Sequence, residues 1–310
     1  MKTQILNGDC IEMMKTLPDQ SVNCCVTSPP YFGLRDYGHE GQIGLEQTPE
    51  AFVQKMVEVF REVKRVLRDD GTLWLNLGDS YYNYRPGKGQ ALVKQSCASN
   101  DQDLPQNCAR RGNKLEGLKE KDIIWHKPNP MPESVQDRCT KAHEYIFLLA
   151  KSAKYYFDYE AILEPYANGQ IPKGAPSKTS EREKLGLSRP PSSFGAPVDE
   201  KETNPITGSR QHRPPANVGN PMGRNKRDVW SVNVKPYREA HFATYPPELI
   251  TPCILAGCPK GGTVIDPFGG SGTTAQVAME HGRNAILCEL NPEYVKLINH
   301  RLAQVQPNLL

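Results

Sequence analysis

The 310-residue chain has no apolar run approaching the ~18 residues that a membrane-crossing helix needs. Its densest apolar stretch, Tyr145–Ala150, reads as a buried strand. The opening residues, MKTQILNGD, contain no apolar signal segment. Membrane and secretory readings are set aside on these grounds, and a cytoplasmic location is expected. Apolar residues make up only 37% of the chain, with a mean hydropathy of −0.60, so part of it is expected to contribute little to a core. The nine cysteines are scattered. Their close pairs, Cys24–Cys25 and Cys253–Cys258, do not form a Cys-x-x-Cys knuckle, and no second pair stands at zinc-finger spacing. No metal is expected, and reduced, mostly buried thiols are.

Charge is present but nearly balanced, at a net +3. Its distribution says more. Between Tyr166 and Arg227 there are 11 Lys and Arg against 5 Asp and Glu, so this segment carries +6 and leaves −3 on the rest. A basic segment on a slightly acidic body points to a polyanionic partner. The same segment holds nine Pro and seven Gly without a sustained apolar period. It reads as an irregular, partly mobile insertion able to order on binding, and Tyr81–Lys121 reads as a polar loop.

On either side of it the patterns are regular. Gln4–Asn7 and Val22–Thr27 read as short buried strands around a helix from Cys10 to Lys15. Thr48-Pro49-Glu50 opens a second helix, with Thr48 as N-cap, Pro49 in the first turn and Glu50 at the positive dipole end. Phe52, Met56, Val59, Val63, Val66 and Leu67 follow at helical spacing, and Asp70-Gly71 is expected to stop the run. Thr72–Leu77 and Glu144–Ala150 read as strands, Pro247–Ala256 as a helix, Thr263–Asp266 and Asn284–Cys288 as strands, and Pro292–Ala303 as a helix. Strands alternating with helices predict a doubly wound, mostly parallel α/β sheet of Rossmann-like type. The expected division is 1–165, an inserted region 166–230, and 231–310.

Two constellations carry chemistry. In Val264-Ile-Asp-Pro-Phe-Gly-Gly-Ser-Gly-Thr-Thr274, Asp266 ends a strand and small residues then let a ligand approach backbone N–H groups at a helix N-terminus. Glu289, ending the next strand 17 residues after Gly272, stands where a ribose would offer its hydroxyls. No Gly-Lys-Ser/Thr follows, which excludes a P-loop. Gly270-Ser-Gly-Thr-Thr-Ala275 matches a relaxed dinucleotide fingerprint, so a nicotinamide-dependent oxidoreductase stays in view. Asp266, however, would repel a pyrophosphate and welcome an ammonium group, which favours a nucleoside carrying an amino acid. The second constellation, Thr27-Ser-Pro-Pro-Tyr31, follows a strand. Its two prolines donate no N–H and stiffen the backbone. Acceptors on Ser28 and the Pro29 carbonyl then stand beside the aromatic face of Tyr31, a set able to bind an exocyclic amino group.

With these residues the chain resembles the DNA amino-methyltransferases that use S-adenosylmethionine, in the permuted order called the beta class. The tetrapeptide Ser28–Tyr31 comes early, the basic Pro/Gly-rich region lies between, and Asp266–Thr274 comes last. Asn7-Gly-Asp9, Gly71-Thr-Leu-Trp-Leu-Asn-Leu77 and His241-Phe-Ala-Thr-Tyr-Pro246 resemble three further motifs of the family. The resemblance implies Ser28, Pro29, Pro30 and Tyr31 as catalytic residues. It implies Asp9, Thr27, His241, Asp266, Pro267, Phe268, Gly270, Ser271, Gly272, Thr273 and Glu289 as cofactor-binding residues. Double-stranded DNA is the implied partner, with the target base flipped out and Arg210, Arg213, Arg224, Lys226 and Arg227 on its phosphates. A separate restriction endonuclease is a further implied partner. Ser at the head of the tetrapeptide leans towards cytosine N4, with adenine N6 as the alternative and a non-catalytic DNA-binding module as the rival of another class. Cytosine-C5 chemistry would need a cysteine after proline. Pro252-Cys253 supplies one, but within a helix-like run, where a core role is expected. No catalytic role is assigned to His126 or His143.

Overall fold

The computed structural model describes residues 1–34, 36, 38–78, 120–134, 136, 139–166, 220, 222–234 and 244–305. The chain divides into two compact units, one of Met1–Asp158 with Asp228–Leu310 and one of Tyr159–Arg227. The expected inserted region began at 166 and ended at 230. Val229 and Trp230 instead belong to a strand of the first unit.

Among the described residues the first unit is built on one eight-stranded sheet. In chain order its elements are β1 (Thr3–Asn7), α1 (Cys10–Lys15), β2 (Val22–Thr27), α2 (Pro49–Val66), β3 (Leu67–Leu77), β4 (Glu120–His126), β5 (His143–Ala150), β6 (Val229–Ser231), α3 (Pro247–Gly257), β7 (Thr263–Asp266), α4 (Thr273–Glu280), β8 (Asn284–Glu289) and α5 (Pro292–Ala303). The strand order is β1-β8-β7-β2-β3-β5-β4-β6. The strands from β1 to β3 run parallel, β5 is antiparallel to both β3 and β4, and β6 is parallel to β4.

Local chemistry accounts for these elements. Asp9 caps α1 by accepting from the N–H groups of Ile11 and Glu12, at 2.9 and 3.1 Å. Thr48 caps α2 through the Ala51 N–H, and Pro49 holds its first turn. The valines of α2 at 59, 63 and 66 share one stripe and are wholly buried, each contributing about 1.5–2 kcal/mol by leaving water. The expected stop at Asp70-Gly71 is corrected. Leu67 already has extended backbone and starts β3, and both residues lie inside that strand. The pairing skips there, from Val22 opposite Leu67 to Cys24 opposite Thr72, so the polar run Arg68–Gly71 is an irregularity in strand pairing. The polar loop expected over Tyr81–Lys121 is corrected at its end, where Glu120 and Lys121 enter β4; residues 79–119 lie outside the described residues.

Two-residue periodicity sends neighbouring side chains to opposite faces. Cys25, Leu73 and Leu75 join the core beneath α1 and α2, while Cys24, Thr72 and Trp74 meet Gly257 of α3 on the other face. Helices thus cover the parallel half of the sheet on both sides. None of the described helices is long and apolar enough to cross a membrane.

Candidate active site

The strand order contains one topological switch. From β7 the chain passes through α4 to β8 on one side, whereas from β2 it passes through α2 to β3 on the other. β7 and β2 are neighbours, and the crevice beyond their carboxyl ends is where such sheets bind ligands. The two chemical motifs meet there: Thr27 ends β2, Asp266 ends β7, and the Thr27 hydroxyl donates to Asp266 Oδ1 at 2.6 Å.

A cavity of about 230 Å³ opens above this junction. Its walls include Ser28, Pro29, Pro30 and Tyr31 from the loop after β2, and Pro267, Phe268, Gly270, Ser271 and Thr273 from the loop after β7. Asp9, in the turn after β1, and Glu289, the last residue of β8, add to the wall. Gly8 N–H and the Asn7 side-chain amide both donate to the Glu289 carbonyl, at 3.0 and 2.8 Å, which draws Asp9 beside Glu289. Glu289 Oε2 accepts from Gly270 N–H at 2.7 Å and Oε1 from Asn291 N–H at 2.9 Å. Burial raises its pKa above the ordinary glutamate value against the pull of those two N–H donors. Gly272 opens α4 with φ +80°, and a Cβ there would lie 3.0 Å from Ile298, so both backbone and packing select glycine.

Three expected ligand residues stand behind the wall instead of in it. Thr27 and Asp266 are each 1% exposed, and neither they nor Gly272 lines the cavity. Asp266, expected to meet an ammonium group, already accepts four hydrogen bonds within the chain. Oδ1 accepts from the Thr27 hydroxyl and from Phe268 N–H at 3.0 Å. Oδ2 accepts from the Tyr245 hydroxyl at 2.8 Å and the Thr274 hydroxyl at 2.6 Å. Burial lifts the Asp266 pKa in spite of these four donors. Four bonds fill the carboxylate's acceptor sites, so Asp266 ties β2, α4 and the segment before α3 together beneath the cavity floor.

A model of the DNA methylase family of N6 and N4 amino-methyltransferases matches residues 22–300. The chain is 38% identical to the type II methyltransferase M.Cfr9I of Citrobacter freundii, over 99% of this chain and 89% of that protein. It belongs to this DNA methylase family. M.SmaI of Serratia marcescens is 36% identical over 96% of this chain and 90% of its own. The methylase shares its fold with the cytosine-N4-specific PvuII DNA methyltransferase, at a TM-score of 0.56 and 18% identity over 100% of this chain and 88% of that one. The same fold occurs in a putative DNA modification methylase of Thermus thermophilus solved with S-adenosyl-L-methionine, at a TM-score of 0.54 and 24% identity over 100% and 98%.

Four residues of the methylase site escaped the sequence reading as individuals. Tyr245 and Thr274 belong to the His241–Pro246 and Val264–Thr274 motifs, but only the fold turns both hydroxyls onto Asp266. Arg301, on the last turn of α5, reaches back to the glycine loop and donates to the Ser271 carbonyl, the Ser271 hydroxyl and the Thr273 hydroxyl at 3.0–3.1 Å. No sequence signal marks it. Glu144 accepts from Tyr31 and Asn76. His241 lies outside the described residues, as do Arg210 and Arg213. Cys253 is buried in α3, with its thiol directed at the Leu249 carbonyl, as a core residue. His126 and His143 bond Ser231 and Tyr145 and do not line the cavity.

In the second unit, Glu164 and Arg224 exchange backbone hydrogen bonds at 2.8 Å in each direction. Arg224, Lys226 and Arg227 converge on the Glu164 carboxylate at 3.4, 3.5 and 3.4 Å.

Proposed function

We propose that this methylase transfers a methyl group from S-adenosylmethionine to the N4 amino group of cytosine in duplex DNA. The observation that carries the reading is Ser28 at the head of Ser28–Tyr31, lining the cavity beside Pro29 and Tyr31 and opposite Glu289. The cavity fits the cofactor by its chemistry. Glu289 keeps lone pairs for ribose hydroxyls, Pro267, Phe268 and Ile43 offer apolar walls to a purine, and Asp9 can accept from its amino group. Bound there, the cofactor supplies an electrophilic methyl group.

The chain's own residues do the rest. Ser28 Oγ and the Pro29 carbonyl accept hydrogen bonds from the two hydrogens of a flipped base's amino group, which draws its nitrogen towards tetrahedral geometry and localises the lone pair. As the N–C bond forms the methyl's bond to sulfur breaks, and the nitrogen then releases one proton to solvent. Tyr31 stacks on the ring. Flipping costs a few kcal/mol, and Arg224, Lys226 and Arg227, with Arg210 and Arg213, supply phosphate contacts that offset it. Rate enhancement comes from positioning and from acceptors set where charge develops.

The test is transfer from methyl-labelled S-adenosylmethionine to duplex DNA of varied sequence, with mass spectrometry of the nucleosides. N4-methylcytosine is the expected product. N6-methyladenine would keep the mechanism and overturn the weight placed on Ser28. No product at all, with cofactor binding intact, would favour a DNA-binding module without catalysis. Ser28→Ala is expected to lower transfer on the order of 10²–10³-fold and leave cofactor affinity unchanged.

A further inference from the structure

We infer that Glu144 is a positioning residue for methyl transfer, holding the Tyr31 ring in the plane a flipped base stacks on. The inference rests on the function proposed above and concerns a residue that does not line the cavity.

A tyrosine at the end of a loop is free to swing unless its hydroxyl is held. In this chain Gly78 and Glu144 hold it, beside a hydrogen bond with Ser28. Gly78 N–H, just beyond β3, donates to Tyr31 Oη at 2.8 Å, and Tyr31 Oη in turn lies 3.5 Å from Glu144 Oε2 as donor. The carboxylate is itself fixed. Asn76, 6% exposed, donates to Oε2 at 3.2 Å and to the Tyr145 carbonyl at 3.1 Å. Lys127 pairs with Oε1 while its ammonium sits 4.4 Å above the Trp125 ring. The sheet register sets this up: Leu77 opposes Tyr145 on β5, and Trp125 of β4 opposes Glu144. Glu144 therefore stands between the end of β3 and Lys127.

Gly78 shows how closely the group is packed. A Cβ there would lie 3.0 Å from Tyr31 Oη and 3.3 Å from Glu144 Cγ. A side chain at 78 would displace the very contact that orients the ring. Burial and the Glu144 charge both raise the Tyr31 pKa, so the phenol stays protonated and keeps its donor role. Of Tyr31, Gly78, Asn76, Lys127 and Glu144, only Tyr31 lines the cavity, so Glu144 acts through Tyr31.

The test is a double-mutant cycle between Glu144→Ala and Tyr31→Phe, reading kcat, KM for cofactor and DNA, and cofactor affinity by calorimetry. Phenylalanine keeps the ring but gives Glu144 nothing to hold. Glu144→Ala is expected to lower kcat by about 10- to 100-fold, as misplacement of a reacting group does, with cofactor affinity unchanged. In the Tyr31→Phe background it is expected to cost nothing further. Glu144→Gln, which keeps an acceptor for Tyr31, should restore most of kcat. Multiplicative losses, an unchanged kcat for Glu144→Ala, or weakened cofactor binding would each overturn the role. Should Glu144→Ala not fold, Lys127→Met takes its place in the cycle with the same expectation. The base methylated by the unmodified enzyme is read separately, so a wrong base and a wrong role for Glu144 give different results.

Discussion

Asp266 offers the sharpest separation between a ligand and a brace. Replacing it with alanine removes the acceptor for four donors. The Tyr245 and Thr274 hydroxyls lie side by side, so once Asp266 is gone one can turn to donate to the other. The Thr27 hydroxyl and Phe268 N–H are left without an acceptor, at about 1–3 kcal/mol each. The release of a buried carboxylate, whose pKa is raised by desolvation, offsets part of this. A net loss of about 2–4 kcal/mol is expected, within the roughly 5–15 kcal/mol that a folded domain has available. The sign with pH follows. An acid with a raised folded pKa adds stability below its unfolded value and loses it as pH rises through the folded value. At neutral pH the wild type therefore carries a cost that the variant lacks. The assay is urea unfolding alongside calorimetry with two ligands, S-adenosylmethionine and 5′-methylthioadenosine, which lacks the amino acid. A brace predicts a lower urea midpoint and weaker binding of both ligands, because Phe268 and the glycine loop shift together. An unchanged midpoint with selective loss of S-adenosylmethionine would refute the argument and return Asp266 to direct contact with the ammonium group.

Two further outcomes are expected. Arg301→Ala leaves the Ser271 carbonyl without its charged donor, and should lower stability by about 1.5–3 kcal/mol and weaken cofactor binding several-fold by calorimetry; unchanged affinity would make the arginine a brace for α5 only. In a Cys97→Ser, Cys108→Ser background, a maleimide at neutral pH should label Cys139, which is exposed, and spare the buried thiols. Burial pushes Cys10 and Cys258 up to about 12 and raises Cys24, Cys25 and Cys288 as well, so they are protonated and unreactive. Rapid labelling of more than one thiol, followed by mass spectrometry, would contradict the packing.

Much of the fold was legible because its signals are local. Apolar runs of four to six residues bounded by turns, an N-capping threonine before a proline, and a glycine-rich loop between strand and helix each depend on neighbours in sequence. Val22–Thr27, Thr263–Asp266 and Pro292–Ala303 have the expected limits for that reason. Asp70-Gly71 misled because a stop signal after a helix and an irregularity in strand pairing use the same residues, and only the partner strand distinguishes them. β6 was missed because three residues hold no period, and its pairing with β4 is long-range.

Residue chemistry read along the chain is enough to say which groups exist and in what order: a Ser-Pro-Pro-Tyr turn, an Asp-Pro-Phe-Gly loop, an acid at the next strand end. Backbone stiffness, missing N–H groups and carboxylates are properties of single residues, so they need no fold to be read. Which of those groups face the cavity is settled by packing in three dimensions. Asp266 and Thr27 are turned inwards, where four donors converge from three segments, while Glu289 keeps part of its carboxylate at the surface of the wall. The same packing brings Arg301 under the glycine loop and Glu144 to Tyr31, contacts that span 28–30 and 113 residues. No local pattern encodes such pairs, because what fixes them is strand order and register.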